Sequence, residues 1–282
     1  MATEGKVLVP GSTNYLETQQ ITQTDGGVVH REGVVNYPHS TAALEIAIGN
    51  ISGVAGVNKF GRNSDIASGT TEDIWDGSAT YVFPATALMT SISQTADQEA
   101  MRGATIEVQG LDANWALTIQ NATLNASDTT TVVTLGTALI RCFRMKVLAN
   151  VIGTSPIRVH NAGETTDYAI ISTGNNQTLM AIYTVPLGKT AYVIKYHANL
   201  NQTATVGPTA CNVRFFVRDN ANSYERQLKH ILGLDPDATS HFDHFFLPYL
   251  KVGAQSDIYI DGTTAGKASD VSAGFDLILI DD

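Results

Sequence analysis

The sequence predicts an all-β fold: a jelly-roll-like antiparallel β-sandwich with an extended N-terminal arm and at most one or two short helices. Three observations carry that expectation. Short runs rich in β-branched and aromatic residues recur along most of the chain, and such residues fit a pleated, half-buried surface. Turn signals separate them at roughly 8–12 residue spacing, the mark of a sandwich or barrel. The crossover helices that a parallel α/β sheet requires between strands are missing.

Composition bounds the class further. The chain has 282 residues, and only 16% are charged against 43% hydrophobic, so a sizeable core is available. The 24 glycines suit short strands with frequent turns. Seventeen Lys and Arg face 27 Asp and Glu, a net charge of −10. Contact with a nucleic-acid backbone needs clustered cations, which this balance opposes. No stretch approaches the roughly 18 apolar residues of a membrane span. The N-terminal residues carry no apolar signal-peptide core, so the Asn-x-Ser/Thr sites at Asn121, Asn125, Asn176 and Asn201 are not expected to be glycosylated. Cys142 and Cys211 sit in apolar, strand-like runs and read as buried small hydrophobes; sequence alone leaves a bridge between them open.

Taken in order, residues 1–75 differ from the rest and are assigned to the arm, with the sandwich over 76–282. Short apolar runs alternate there with polar stretches. The repeat-like words Gly27-Val-Val-His30 and Gly33-Val-Val-Asn36 suggest a small ribbon. Leu44-Glu-Ile-Ala-Ile48 alternates as a strand, and Gly49, Gly53, Gly56 and Gly61 then interrupt regular structure. From Trp75 onward strands are expected at residues 78–83, 87–93, 104–108, 115–119, 130–135, 139–148, 157–159, 168–171 and 212–217.

Residues 179–185 and 190–196 read as a hairpin closed by Pro186-Leu-Gly188, with Tyr192, Ile194 and Tyr196 on one face. Tyr224, Leu228 and Ile231 recur at near-helical spacing before Gly233, which marks the best helix candidate. Residues 258–260 and 275–280 close the chain, the last apolar on both faces and therefore placed inside a sheet.

Candidate chemistry is sparse. His241-Phe-Asp-His244, with His230 as a distant third ligand, is the one tight group of metal-capable residues, but strand spacing sends its histidines to opposite faces. Glu72, Asp73 and Asp76 around Trp75 offer paired carboxylates, which glycoside hydrolysis uses. Asp76-Gly77 is itself a turn signal, and an exposed acidic turn is the preferred reading. Gly188-Lys-Thr190 lacks the earlier glycine of a phosphate loop. Arg141 and Arg144 flank Phe143, where solvated strand arginines are expected, or contacts to a carboxylate across an interface. No catalytic residue, metal or cofactor is assigned, and no enzyme activity is expected.

Asn58-Lys-Phe-Gly-Arg-Asn63, Glu72-Asp-Ile-Trp-Asp-Gly77 and Tyr81-Val-Phe-Pro84 come first in one recognisable order. Ile106-Glu-Val-Gln-Gly-Leu-Asp112, Val132-Val-Thr-Leu-Gly136 and Tyr183-Thr-Val-Pro-Leu-Gly-Lys-Thr190 follow. The order resembles virion structural proteins of tailed bacteriophages, notably those of marine and cyanobacterial phages. The resemblance spans residues 58–199, half of the chain. It implies a sandwich on the particle, often trimeric, made in the host cytoplasm. The expected role is a capsid decoration (cement) or minor capsid protein, with partners in its own copies, the major capsid protein or other virion proteins. Nucleic acid and membrane are not expected partners. Subunit contacts are expected at Asn58, Lys59, Phe60, Arg62, Trp75, Tyr81 and Phe83. Two other readings are a tail or head-fibre adaptor, and a carbohydrate-binding module using Trp75 and Trp115 against host glycans.

Overall fold

The computed structural model describes residues 4–8, 15–22, 28–32, 42–201 and 210–282. The chain divides into two units, residues 1–50 and 51–282. In the first, β1 (Glu4–Leu8), β2 (Tyr15–Thr22) and β3 (Val28–Glu32) form an antiparallel meander, followed by α1 (Ala42–Ala47). Residues 33–36, the second word of the repeat-like pair, lie outside the described residues. The strand expected at residues 44–48 is instead the short helix.

The second unit is all-β. Its strands are β4 (Val54–Ile66), β5 (Thr71–Asp73), β6 (Met89–Gln94), β7 (Thr105–Asp112), β8 (Leu117–Thr123), β9 (Val133–Val147), β10 (Ile157–His160) and β11 (Asp167–Ile171). Then come β12 (Ile182–Thr184), β13 (Lys189–Asn201), β14 (Ala210–Asp219), β15 (Gln227–Leu234), β16 (His241–Val252), β17 (Ser256–Ala265) and β18 (Ser269–Asp281). Every pairing among them is antiparallel.

Two sheets make a jelly roll. One runs β16-β13-β18-β4 and the other β12-β17-β14-β15, with β5 pairing β17 end to end with β12. Numbered as eight successive strands, with β5 and β12 sharing the second place, these orders are the two interleaved Greek keys of that fold. Between β5 and β12 the chain leaves to build a third sheet, β11-β10-β6-β9-β7-β8, and returns. The stems of this insertion run side by side: Ala181 N–H donates to Ile74 O at 2.9 Å and Asp76 N–H to Leu179 O at 3.0 Å. A Cβ at Gly61 would land on the backbone of Ala181 and Ile74, so glycine in β4 permits close approach rather than breaking the strand.

Two cores result. Val193, Tyr196, Val213, Phe215, Phe275 and Leu277 fill the jelly roll. Met89, Ile92, Ile106, Val108, Leu139 and Met145 of the inserted sheet pack with Ile182, Phe216 and Tyr259 from the jelly roll. The β12-β17-β14-β15 sheet is thus covered on both faces, and β17 is buried almost throughout because Ile258 and Ile260 enter one core and Tyr259 the other. Cys142 and Cys211 are buried and free, one in each core, and burial pushes both thiols up to about 12. Among the described residues, no helix is long and apolar enough to cross a membrane.

Several expectations are corrected. Residues 51–75 do not belong to an arm: β4 pairs with β18 from Val54 to Ile66, and β5 joins β17. The expected hairpin is a connection between sheets, since β12 pairs β17 whereas β13 pairs β16 and β18. A register shift between Val193 and Lys195 also moves Tyr196 to the face opposite its expected neighbours Tyr192 and Ile194, so Tyr196 is buried and they are only half-buried. Residues 227–234, expected as helix, form β15 against β14. Their near-helical spacing reflects a bulge, with Lys229 left unpaired between the partners of Phe215 and Phe216. Residues 78–83 form no strand and instead lay Tyr81 and Phe83 over the second core.

Candidate functional site

The first notable surface is the free edge of the jelly roll. β16 is the end strand of one sheet and β15 of the other. They meet where the His230 and His244 rings stack with centroids 3.6 Å apart, and Tyr196 shares a 2.6 Å hydrogen bond with His230 Nδ1. Burial lowers both imidazole pKa values, and the neighbouring His244 lowers that of His230 further, which favours the neutral pair. Outside this stack the edge has no strand partner among the described residues and exposes large apolar side chains beside His241, Asp243 and Lys251. Phe242, Phe245, Leu247 and Tyr249 on β16, with Tyr224, Leu228 and Ile231 beside or on β15, are all exposed, Leu247 by 84%.

The register explains why Leu247 protrudes. Leu250 pairs with Val193 and Phe245 with Lys195, so residues 246–249 oppose the single residue Ile194. The chain bulges there, through a cis Leu247–Pro248 bond, and Leu247 points outward while Phe246 packs on Tyr196 and Phe215. Phe245 lies on the outer sheet face in a row with Lys195, Asp276 and Asn58. An exposed, apolar end strand is a template for association.

The second notable place is a cleft of about 450 Å³ lined by Phe83, Trp115, Arg141, Arg218, Asn220 and Glu225 among others. Behind its two arginines lies Asp257, fully buried on β17, which accepts six hydrogen bonds. Arg141 Nε and Nη2 bind its two oxygens at 2.8 and 3.1 Å, and Arg218 Nη2 and Nε reach Oδ2 at 2.7 and 3.2 Å. Asn220 adds one at 2.9 Å and Thr184 one at 2.7 Å. Burial alone would raise this carboxyl's pKa; the hydrogen bonds and charge of Arg141, with Arg218 and Asn220, outweigh it and hold the pKa below the usual range. Arg141 is also buried, and its Nη1 donates to the carbonyls of Pro84 and Ile140 at 2.7 and 2.8 Å.

The walls are aromatic. The Arg141 guanidinium lies 4.9 Å from the Trp115 ring and 5.3 Å from Phe83, and Arg218 lies 4.4 Å from Phe83. Trp115 sits at φ +63° in a turn that Asp112 closes by accepting from Asn114 and Ala116 N–H. The opposite wall is the loop after β14, pinned by Asp219, which accepts from Asn222 and Tyr224 N–H.

A related arrangement lies farther along the same face. Asp261 binds Arg214 at 2.7 and 2.8 Å and Arg226 at 3.5 Å, both arginines stacking on Phe216. Paired with it across the strands is Asp73, buried, with Tyr81 N–H donating to it at 2.6 Å. Burial and the nearby Asp261 raise the Asp73 pKa to about 7, the Tyr81 hydrogen bond and Arg226 and Arg214 acting against the shift. A carboxyl with a raised folded pKa holds more protons folded than unfolded. Its stabilising effect is present at low pH and fades as pH rises from about 4 through about 7. Urea unfolding is therefore expected to show stability falling across that window. Asp73→Asn, which keeps an acceptor for Tyr81, should flatten the slope and gain on the order of 2–4 kcal/mol at pH 8.

The seven residues expected at subunit contacts do not share one surface. Lys59, Trp75 and Tyr81 are buried within the chain, which corrects their assignment to an interface. Lys59 donates to Phe143 O, and burial drives its amine pKa well down. Trp75 Nε1 donates to Ala79 O at 2.8 Å, and its ring packs edge-on against Tyr81. Asn58 and Arg62 are exposed on the outer face of β4, bonded to Asp276 and Asp270, with Phe60 between them half-buried. Phe83 lines the cleft.

The expected exposed acidic turn is also corrected. Asp73 is internal, and Glu72 accepts from Asn63, Ala67 and Thr70. Arg141, expected in solvent or across an interface, is instead the partner of Asp257, and Arg144 donates to Asn58 O. His241 turns to Asn199 and Asp243, away from the His244 stack. Of the two tryptophans weighed as glycan platforms, Trp75 is internal and Trp115 lines the cleft. The roles of Asp257 and Arg218 and the exposed β16 edge were missed; the aromatic residues Phe242, Phe245, Phe246 and Tyr249 were the one sequence signal for the edge.

No family model matches the chain, and no curated protein matches it.

Proposed function

We propose that this chain is a non-enzymatic structural protein of a tailed-phage virion, a capsid decoration or minor capsid protein. It associates with copies of itself as a homotrimer and with the major capsid protein. The observation that carries this reading is the end strand β16, along which Phe242, Phe245, Leu247 and Tyr249 are all exposed. Large apolar side chains left exposed along an unpaired end strand mark a place of association. The jelly roll is consistent with the role but does not carry it, since capsid, lectin and cupin domains share the architecture. The sequence resemblance supplies the particle.

In this reading residues 1–50, a unit of their own, reach neighbouring virion proteins, while the complete jelly roll lies in residues 51–282. Deleting residues 1–50 is therefore expected to leave the β-rich circular dichroism spectrum and melting transition of the body in place, while binding to particles lacking the protein is lost. Full particle binding by the truncated chain would remove the leader's role. Imaging of decorated particles separates a capsid site from a tail or head-fibre adaptor.

A further inference from the structure

We propose that the Trp115–Arg218–Glu225 cleft is a binding site for a neutral pyranose unit of a glycan. This inference stands apart from the virion assignment, since it rests on the cleft alone.

A sugar ring presents an apolar face of C–H groups and a rim of hydroxyls that both donate and accept. A site for it needs an aromatic platform beside mixed donors and acceptors that the protein has not already used. The cleft supplies both. Trp115 and Phe83 form one wall, held in place by the guanidiniums of Arg141 and Arg218. Tyr224, largely exposed, stands on the facing loop.

The polar groups divide into used and open ones. Arg141 spends its donors on Asp257 and two carbonyls, so it builds the floor and binds nothing further. Arg218 binds Asp257 through Nε and Nη2, and its Nη1 makes no hydrogen bond among the described residues. The Trp115 indole N–H, the Ser223 and Tyr224 hydroxyls and the Glu225 carboxylate make no hydrogen bond within the described residues. Donors and acceptors thus surround one space of about 450 Å³, within the range of small-ligand sites.

Charge decides between neutral and acidic sugars. Asp257, buried behind the lining, and Glu225 on the lining together offset Arg141 and Arg218, and an incoming carboxylate would meet Glu225. A neutral ring uses Arg218 as donor and Glu225 as acceptor without adding charge. The loop that positions Ser223 and Tyr224 is tied down by Asp219 and Asn220, so the site is formed before any ligand arrives.

The test uses the methyl glycosides of glucose, galactose and mannose, with glucuronate as the charged arm. Ligand-observed saturation-transfer NMR on the full chain is expected to show saturable binding of at least one neutral glycoside, with ring protons receiving most of the transfer. Tyr224→Ala and Glu225→Gln alter exposed side chains outside both cores. Each is expected to weaken that binding roughly tenfold with the melting temperature unchanged. Glucuronate is expected to bind more weakly than the neutral sugar and to gain from Glu225→Gln. Three results would overturn the proposal: no saturable binding of any neutral glycoside by folded protein, binding that both variants retain in full, or preference for glucuronate. None of them bears on whether the chain assembles in a particle.

Discussion

Replacing Phe245 and Leu247 together by Asp is expected to abolish the self-association proposed above while leaving the fold intact. Both side chains are more than half exposed in the single chain, so neither contributes much to the core. Burying each in a subunit contact contributes about 1.5–3 kcal/mol, and the substitution replaces that gain with a charge to be desolvated. Two such changes per subunit should weaken association at least 1,000-fold, about 4 kcal/mol. Light scattering behind size exclusion reads the mass, and a thermal melt checks the fold. If the double variant kept the wild-type mass, the β16 edge would not be the contact.

The largest expected effect on folding lies at Asp257→Ala. This carboxylate is the shared anion of Arg141 and Arg218, and removing it leaves Arg141 buried with no countercharge. Breaking a buried ion pair from one side costs about 3–5 kcal/mol, a large share of the 5–15 kcal/mol typical of a domain. Because the Asp257 pKa is lowered on folding, its contribution is present above the unfolded value and is lost as pH falls below about 4. Asp73 acts in the opposite sense at higher pH. Chemical unfolding of Asp257→Ala should therefore show a much lower midpoint, or no folded baseline, and acid unfolding of the wild type should track protonation of this group. A variant with wild-type stability would mean that Arg141 is hydrated.

The fold class was legible because alternation and turn spacing are local signals, and they place most strands of the body. The place of residues 275–280 inside a sheet rather than at its edge was legible too: β18 lies between β13 and β4. What failed depended on distant partners. Gly56 and Gly61 look like interruptions until β18 and the stem at Ala181 are placed beside β4. Pro186-Leu-Gly188 turns the chain, but nothing local says that the flanking strands part into different sheets. Leu228 and Ile231 kept a helix-like spacing because a bulge at Lys229 broke the strand alternation.

The cleft was hidden for the same reason. It depends on Arg141, Arg218 and Asp257 meeting from three strands, 116 and 39 residues apart in sequence from the aspartate. Only the aromatic run 242–249 announced the open edge, and its exposure could be read only from the register of β16 on β13.

Whether the chain is held by its own copies is tested most directly by the mass of the purified wild-type protein in solution. A homotrimer that survives dilution and dissociates in the Phe245→Asp, Leu247→Asp variant is the expected result. A monomer at every concentration, with the β16 edge open to solvent, would contradict it.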